Sequence, residues 1–146
     1  MPLPDRVLLD TNCFIYLLED PESARGAFLA SHVFGPAVSG VHRLFAATLT
    51  VTELLSQPFA AGQPQRASAL LAALEGLPGL ELVVLSVDVA ADAARQRGQF
   101  GLTVPDAIVL ASAASVGAAV LTNDRRLSGR GSAVPVLLLD ELVAAD

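Results

Sequence analysis

Short apolar stretches alternate with helical patterns along this chain, and that alternation restricts its fold more than any other feature. Five such stretches are predicted as strands: Val7–Leu9, Leu44–Thr48, Leu82–Leu85, Ala118–Thr122 and Val134–Leu139. They are apolar throughout, without the in–out alternation of a strand that faces water on one side. This is typical of a parallel sheet that is covered by helices on both faces. The sequence therefore predicts an α/β fold with right-handed crossovers.

The segments between these strands carry helix and loop signals. Pro64–Gly76 has apolar residues spaced i, i+3, i+4 and i+7, which predicts an amphipathic helix. Pro105–Val116 is apolar nearly all round and is predicted to be a buried helix. Thr50–Gln57 is predicted as a helix that stops before Pro58, and Gly35–Gly40 as a loop.

Length and composition favour a single domain over residues 1–146. The chain is 53% hydrophobic, yet none of its apolar runs approaches the ~18 residues that a membrane helix needs. Its first residues lack the long apolar core of a secretory signal, so we expect them to lead into the first strand. With one cysteine no internal disulfide can form, and a reducing cytoplasm is the simplest location.

The charged residues exclude some functions. The formal net charge is −6, and all nine basic residues are arginines. A chain without lysine is neither a P-loop NTPase nor an enzyme that uses a lysine Schiff base. An acidic chain is also a poor general binder of nucleic acid, so local arginines or bound cations would have to attract an anionic substrate.

Four acidic residues have ordinary structural interpretations when each is taken alone. Asp10 follows the first strand and could cap a helix, and Asp124 follows the fourth strand in a turn sequence. Thr50 and Glu53 have the spacing of a capping box, in which the glutamate reaches back to the cap. Asp106 opens the buried helix, where an acid interacts favourably with the helix dipole.

Their joint placement suggests chemistry. In a parallel sheet the carboxyl ends of the strands share one edge, where ligands bind, and Asp10 and Asp124 both leave strands there. The helices opened by Glu53 and Asp106 can bring their acids to the same cleft. Clustered carboxylates raise one another's pKa unless a cation joins them. Carboxylate ligands suit Mg²⁺ or Mn²⁺, which can activate water for phosphodiester cleavage.

Four motifs in this order resemble those of PIN-domain nucleases, and more closely those of VapC-type toxins of type II toxin–antitoxin systems. They are Leu8-Leu9-Asp10-Thr11-Asn12, Glu53 within Thr50–Leu55, Pro105–Ala111 and Leu121–Leu127. The resemblance implies a PIN-like three-layer α/β/α sandwich with a parallel five-stranded sheet in the order 3-2-1-4-5. It also implies a Mg²⁺- or Mn²⁺-dependent endoribonuclease, a homodimer, and an antitoxin partner that often inserts a basic side chain into the acidic cleft.

By this resemblance, the catalytic metal ligands would be Asp10, Glu53, Asp106 and Asp124. Asn12 and Thr122 would orient these ligands by hydrogen bonds without binding the metal themselves. Arg125 and Arg126 could contact RNA phosphate at the rim of the cleft, or they could simply occupy a solvated turn.

Other reactive side chains are assigned structural roles. We expect His32 and His42 to lie on the surface or in a loop, and Cys13 to be a buried structural thiol.

Two other classes of function remain open. A PIN-like fold could have become a catalytically silent binding or scaffold module, and the negative net charge slightly favours this. A phosphatase or phospho-receiver of similar architecture is disfavoured. A receiver would need a lysine near its acids, and a haloacid-dehalogenase-like phosphatase would need a second aspartate two residues after Asp10, where this chain has Asn12.

Overall fold

A parallel sheet forms the centre of the molecule in the computed structural model, which describes residues 3–129 and 132–146. Its five strands lie in the order β3-β2-β1-β4-β5, and all neighbouring pairs are parallel. The strands are β1 Arg6–Leu9, β2 Arg43–Ala47, β3 Leu80–Val83, β4 Ala119–Thr122 and β5 Val136–Leu138. The predicted fold class and strand order are therefore confirmed.

Helices connect the strands and cover both faces of the sheet. They are α1 Thr11–Glu19, α2 Ala24–Phe28, α3 Gly35–Val38, α4 Thr48–Ala60, α5 Pro64–Glu75, α6 Val87–Phe100, α7 Val104–Ser115, α8 Arg125–Ser128 and α9 Leu139–Ala145. A π-helical segment, Leu29–Phe34, joins α2 to α3. Among these described helices, none is both long and apolar enough to cross a membrane.

The side chains of β1 alternate between two hydrophobic cores, which explains why its run Val7–Leu9 is apolar throughout. Val7 and Leu9 of β1 point into the core under α1, α4 and α5, whereas Leu8 between them points into the core under α6 and α7. All three are fully buried. Because neither face of this strand contacts solvent, helices must cover both sides of the sheet, which gives the three-layer arrangement.

Two local predictions were wrong. The Gly35–Gly40 segment begins with α3, because the backbone stays helical through Gly35 and Pro36 stands at the start of the new helix, where a missing N–H costs nothing. Pro58 lies inside α4, which continues to Ala60. Its ring is buried, so packing offsets the one backbone hydrogen bond that it removes.

Candidate active site at the carboxyl edge of the sheet

Asp10 is the first residue beyond β1, at the edge where the strands end. Its backbone N–H donates to the carbonyl of Leu121 at 2.9 Å, which extends the β1–β4 pairing by one residue. Its Oδ1 accepts a 2.9 Å bond from the backbone N–H of Thr11. The predicted capping role is confirmed, because this bond satisfies a free donor at the start of α1.

The second carboxylate oxygen of Asp10 is bound by two polar side chains. Thr122 Oγ1 donates to Asp10 Oδ2 at 2.8 Å, and Asn12 Nδ2 lies 3.4 Å from the same oxygen. Asn12 Nδ2 also donates to Thr122 Oγ1 at 3.2 Å, and the backbone N–H of Asp124 donates to that hydroxyl at 3.0 Å. Thr122 therefore uses its single proton on Asp10 and accepts from both other groups.

Burial and nearby negative charge make Asp10 an unfavourable place for an anion. Removal from water is the largest effect, and it raises the pKa of this carboxyl. Hydrogen bonds from Thr122 and Thr11 lower the pKa in part, and the charges of Asp106 and Asp124 raise it again. The net result is a raised pKa, so the ionised form lacks full compensation from its surroundings.

Glu53 reaches this region from α4, but not as a capping residue. The helix begins at Thr48 with Ala47 at the cap, which puts Glu53 in the second turn, so the capping-box interpretation was wrong. Glu53 Oε1 instead accepts a 2.8 Å bond from the hydroxyl of Thr11, which also lies 3.0 Å from the hydroxyl of Thr50. A contact across 42 residues replaces the expected local one.

Asp106 lies in the first turn of α7, as predicted, and Thr103 caps this helix. Because α7 leads back into β4, its start lies at the carboxyl edge of the sheet. Asp106 is half-buried, and its charge acts on Asp10. Among the described residues, no side chain forms a hydrogen bond or an ion pair with its carboxylate.

Asp124 caps the short helix α8 and is paired with an arginine. Its carboxylate accepts from the backbone N–H of Arg126 at 2.9 Å and from Arg126 Nη2 at 3.0 Å. Burial alone raises the pKa of Asp124, but the bonds from Arg126 outweigh it, and the pKa is lowered overall. The side chain of Arg126 is 75% exposed, and Arg125 is exposed as well.

The four acids differ in how their charges are compensated. In the described part of the chain, five arginines form ion pairs with carboxylates, at Asp140, Glu81, Glu19, Asp92 and Asp124. Within residues 3–129 and 132–146, no such pair involves Asp10, Glu53 or Asp106. No group of three or more His, Cys, Asp or Glu side chains in the same ranges is close enough to hold a metal ion. The structure thus brings Asp10, Asp106 and Asp124 into electrostatic range and connects Glu53 to them through Thr11.

Sequence reasoning missed three polar residues of this edge. Thr11 donates its hydroxyl proton directly to Glu53, and Thr50 is connected to Glu53 through the hydroxyl of Thr11. Asn123 donates its backbone N–H to Asn12 Oδ1 at 3.1 Å, and its own Oδ1 accepts from the backbone N–H of Asp140 at 3.1 Å. The available signal was that Thr11 and Asn123 each stand beside a predicted acid.

The remaining predicted residues lie away from this edge or face the core. His32 is exposed, as expected, but His42 is buried, and its Nε2 lies 2.6 Å from the carbonyl of Val33. His42 thus lies in a loop, between α3 and β2, as expected, but its side chain is not at the surface. Cys13 is buried, and burial raises the pKa of its thiol, as befits the predicted structural role.

Comparisons with known proteins agree with this architecture. The sequence profile of the PIN domain matches residues 7–131, and no curated protein matches the chain. A DNA-bound VapBC structure from Salmonella typhimurium has 22% identity and a TM-score of 0.69, covering 92% of this chain and 98% of that one. A toxin–antitoxin complex from Klebsiella pneumoniae has 21% identity and a TM-score of 0.65, covering 91% and 97%. VapBC-5 from Mycobacterium tuberculosis has 24% identity and a TM-score of 0.59, covering 92% and 99%.

Proposed function

Because the chain belongs to the PIN domain family, we propose that it is a metal-dependent endoribonuclease in which Asp10, Glu53, Asp106 and Asp124 bind Mg²⁺ or Mn²⁺. The observation that carries this proposal is the state of Asp10. It is a largely buried carboxylate with no cationic partner among the described residues, and two further aspartates raise its pKa. A protein gains little stability from such an arrangement, whereas a cation would relieve it.

The donor set fits a hard divalent cation. All four proposed ligands offer carboxylate oxygens, which Mg²⁺ and Mn²⁺ prefer over nitrogen or sulfur. Cation binding would draw these carboxylates together and would compete with Arg126 for Asp124. When bound, the cation would supply activation of the attacking water and neutralisation of charge on the phosphate.

Neighbouring polar residues hold the Asp10 carboxylate in one orientation, which would favour cation binding. Thr122 and Asn12 bind Asp10 Oδ2 and leave it few alternative orientations.

Hydrolysis adds one water to phosphorus and breaks one bond between phosphorus and a ribose oxygen. At the rim, the exposed guanidinium groups of Arg125 and Arg126 would contact RNA phosphates and offset the net negative charge of the chain.

We further propose that the enzyme is the toxin of a toxin–antitoxin pair and acts in the cytoplasm. The support is the fold that it shares with proteins solved as toxin–antitoxin complexes. The antitoxin would place a basic side chain against the uncompensated acids, and so occupy the site that the metal and RNA need. A purified antitoxin encoded beside this chain should therefore inhibit cleavage.

A homodimer is the proposed assembly of a single domain spanning residues 1–146. Several large apolar side chains remain exposed, which is typical of proteins that bury such surface against a partner. They include Val84, Val87 and Val104, at 67%, 85% and 52% exposure. Light scattering on the purified protein should give twice the chain mass, and a monomer at all micromolar concentrations would contradict this.

Cleavage of RNA by the purified protein tests the catalytic proposal. We expect cleavage that requires Mg²⁺ or Mn²⁺, stops in EDTA, and is abolished in Asp10→Asn. Asp5→Asn is the matched control, since Asp5 is exposed and precedes β1 at the opposite edge. Mn²⁺ at 100 times its Kd should also stabilise the fold by about 2.7 kcal/mol. A protein that neither cleaves RNA in the presence of these cations nor gains stability from Mn²⁺ would instead be a scaffold module.

A further inference from the structure

Thr11 contacts two of the proposed metal ligands at once. Its backbone N–H donates to Asp10 Oδ1 at 2.9 Å, and its hydroxyl donates to Glu53 Oε1 at 2.8 Å. Asp10 follows β1, whereas Glu53 lies in the second turn of α4. One residue at the start of α1 therefore connects carboxylates from two separate elements.

The hydroxyl of Thr50 completes this arrangement, and the direction of its hydrogen bond follows from proton counting. Thr11 Oγ1 and Thr50 Oγ1 lie 3.0 Å apart. An ionised glutamate can only accept, so the single hydroxyl proton of Thr11 belongs to Glu53. Thr50 must then donate its proton to Thr11. The protons are thereby ordered from Thr50 through Thr11 to Glu53.

Burial makes this order stable against competition from water. Thr11 is 9% exposed and Thr50 is 1% exposed, although Glu53 itself is an exposed residue. Hydrogen bonds in such surroundings are stronger than in water. A threonine is also stiff at its first side-chain torsion, so both hydroxyls have few other orientations.

We propose that Thr11 and Thr50 form a hydroxyl relay that positions Glu53 for cation binding. The inference rests on the proposed function and adds two positioning residues to it. Within residues 3–129 and 132–146, Glu53 forms no other hydrogen bond or ion pair. Without the relay this long side chain would move freely in solvent. With it, Oε1 is fixed and Oε2 stays free to bind a cation.

Conservative substitutions separate the hydroxyl from the shape of the side chain. Thr11→Val keeps the branched form and removes the donor, and it should weaken Mn²⁺ binding by about 10- to 100-fold. Thr11→Ser keeps the donor and should bind close to the wild-type Kd. Thr50→Val should have a smaller effect, because the bond from Thr11 to Glu53 survives. Thr52→Val is the matched control, since Thr52 is an exposed threonine on the same helix.

A double-mutant cycle tests whether Thr11 acts through Glu53. In the Glu53→Ala background, Thr11→Val should cause no further loss of Mn²⁺ affinity, because the group that it positions is gone. An equal loss in both backgrounds would show a merely structural effect and overturn the relay. Wild-type affinity in Thr11→Val would overturn it as well.

A measurement on the metal-free protein separates the relay from the metal proposal. In carbon-13 NMR spectra recorded in EDTA, Thr11→Val should shift the side-chain carboxyl resonance of Glu53, whereas Thr52→Val should not. Failure of the wild-type chain to bind Mn²⁺ would overturn the proposed function. An unchanged Glu53 resonance in Thr11→Val would overturn the relay, whatever the metal result.

Discussion

Thr122 Oγ1 lies 2.8 Å from Asp10 Oδ2, across the pairing of two neighbouring strands. The register pairs Leu9 with Leu121, so Asp10 and Thr122 are the next pair along, at the point where both strands end. Thr122 is fully buried. The strand register thus fixes the position of the central acid of the candidate site.

Removal of the Thr122 hydroxyl should weaken both the fold and the site. Thr122→Val removes the closest donor to Asp10 Oδ2, takes the acceptor from the Asp124 N–H, and leaves the Asn12 amide only its 3.4 Å contact with Asp10. Unsatisfied buried groups cost about 1–3 kcal/mol, and loss of a group that orients a ligand costs about 10- to 100-fold in metal affinity. Urea denaturation and Mn²⁺ titration measure the two effects. Thr122→Ser should restore most of both, and a Val variant equal to wild type would refute this account.

The raised pKa of Asp10 predicts that its contribution to the stability of the metal-free protein is lost as the pH rises. Burial is the main cause, and Asp106 and Asp124 add to it. A carboxyl whose pKa is higher in the folded than in the unfolded state contributes fully below its ordinary pKa of about 3.9. That contribution is lost as the pH rises through the folded-state pKa. Asp124 has a lowered pKa and titrates below the ordinary value, so its opposite effect falls in a different pH range.

Melting temperatures of wild type and Asp10→Asn in EDTA measure this effect. The difference, variant minus wild type, should grow in favour of the variant from about pH 4 toward neutrality. Any constant cost of the new amide shifts the whole curve without changing its slope. Saturating Mn²⁺ should restore stability to the wild type but not to the variant. A difference that does not change with pH would show that Asp10 has an ordinary pKa.

The sequence predicted those features of the fold that depend on local pattern. Apolar runs such as Val7–Leu9 identify buried strands, and an aspartate directly after one of them caps the next helix. Asp10 was placed correctly for that reason. Asp106 was placed in the first turn of its helix because Pro105 favours the start of a helix.

Other features depend on contacts between distant residues and could not be predicted locally. Glu53 fits a capping box in the sequence, but α4 starts two residues before Thr50, and Thr11 becomes its partner instead. His42 lies in a loop, where side chains are mostly exposed, yet it is buried against the carbonyl of Val33. In both cases tertiary packing overrode a valid local pattern.

Two glycines provide a matched test of packing. In Gly26 of α2, an added Cβ would lie 2.8 Å from Pro21 Cα and 2.8 Å from the carbonyl of Tyr16, which are backbone atoms that cannot rotate away. Gly26→Ala should therefore destabilise the fold by about 1–3 kcal/mol. Gly98 lies inside α6 with nothing within 4 Å of an added Cβ. Gly98→Ala should stabilise the fold by about 0.5–1 kcal/mol. Urea denaturation measures both, and effects of the same sign would contradict this packing.

The pair between Arg126 and Asp124 predicts opposite effects on metal and on RNA. The arginine side chain is 75% exposed, so solvent screens the pair, and it can open for a better partner. Arg126→Ala frees Asp124, and Mn²⁺ should bind at least as tightly as to wild type. The same variant lacks a phosphate contact. Its KM for RNA should rise, and the slope of log affinity against log salt should fall by about 1.

Arg95→Ala is the control for this prediction, because Arg95 forms a similar exposed pair with Asp92 on α6. It should change neither Mn²⁺ affinity nor the salt dependence of RNA binding. If Arg126 serves only to cap α8, then Arg126→Ala will leave KM and the salt slope unchanged. If it is instead needed to orient Asp124 for the cation, Mn²⁺ affinity will fall together with RNA affinity. Only a weaker RNA complex with undiminished Mn²⁺ binding agrees with an arginine that leaves its carboxylate partner for the substrate.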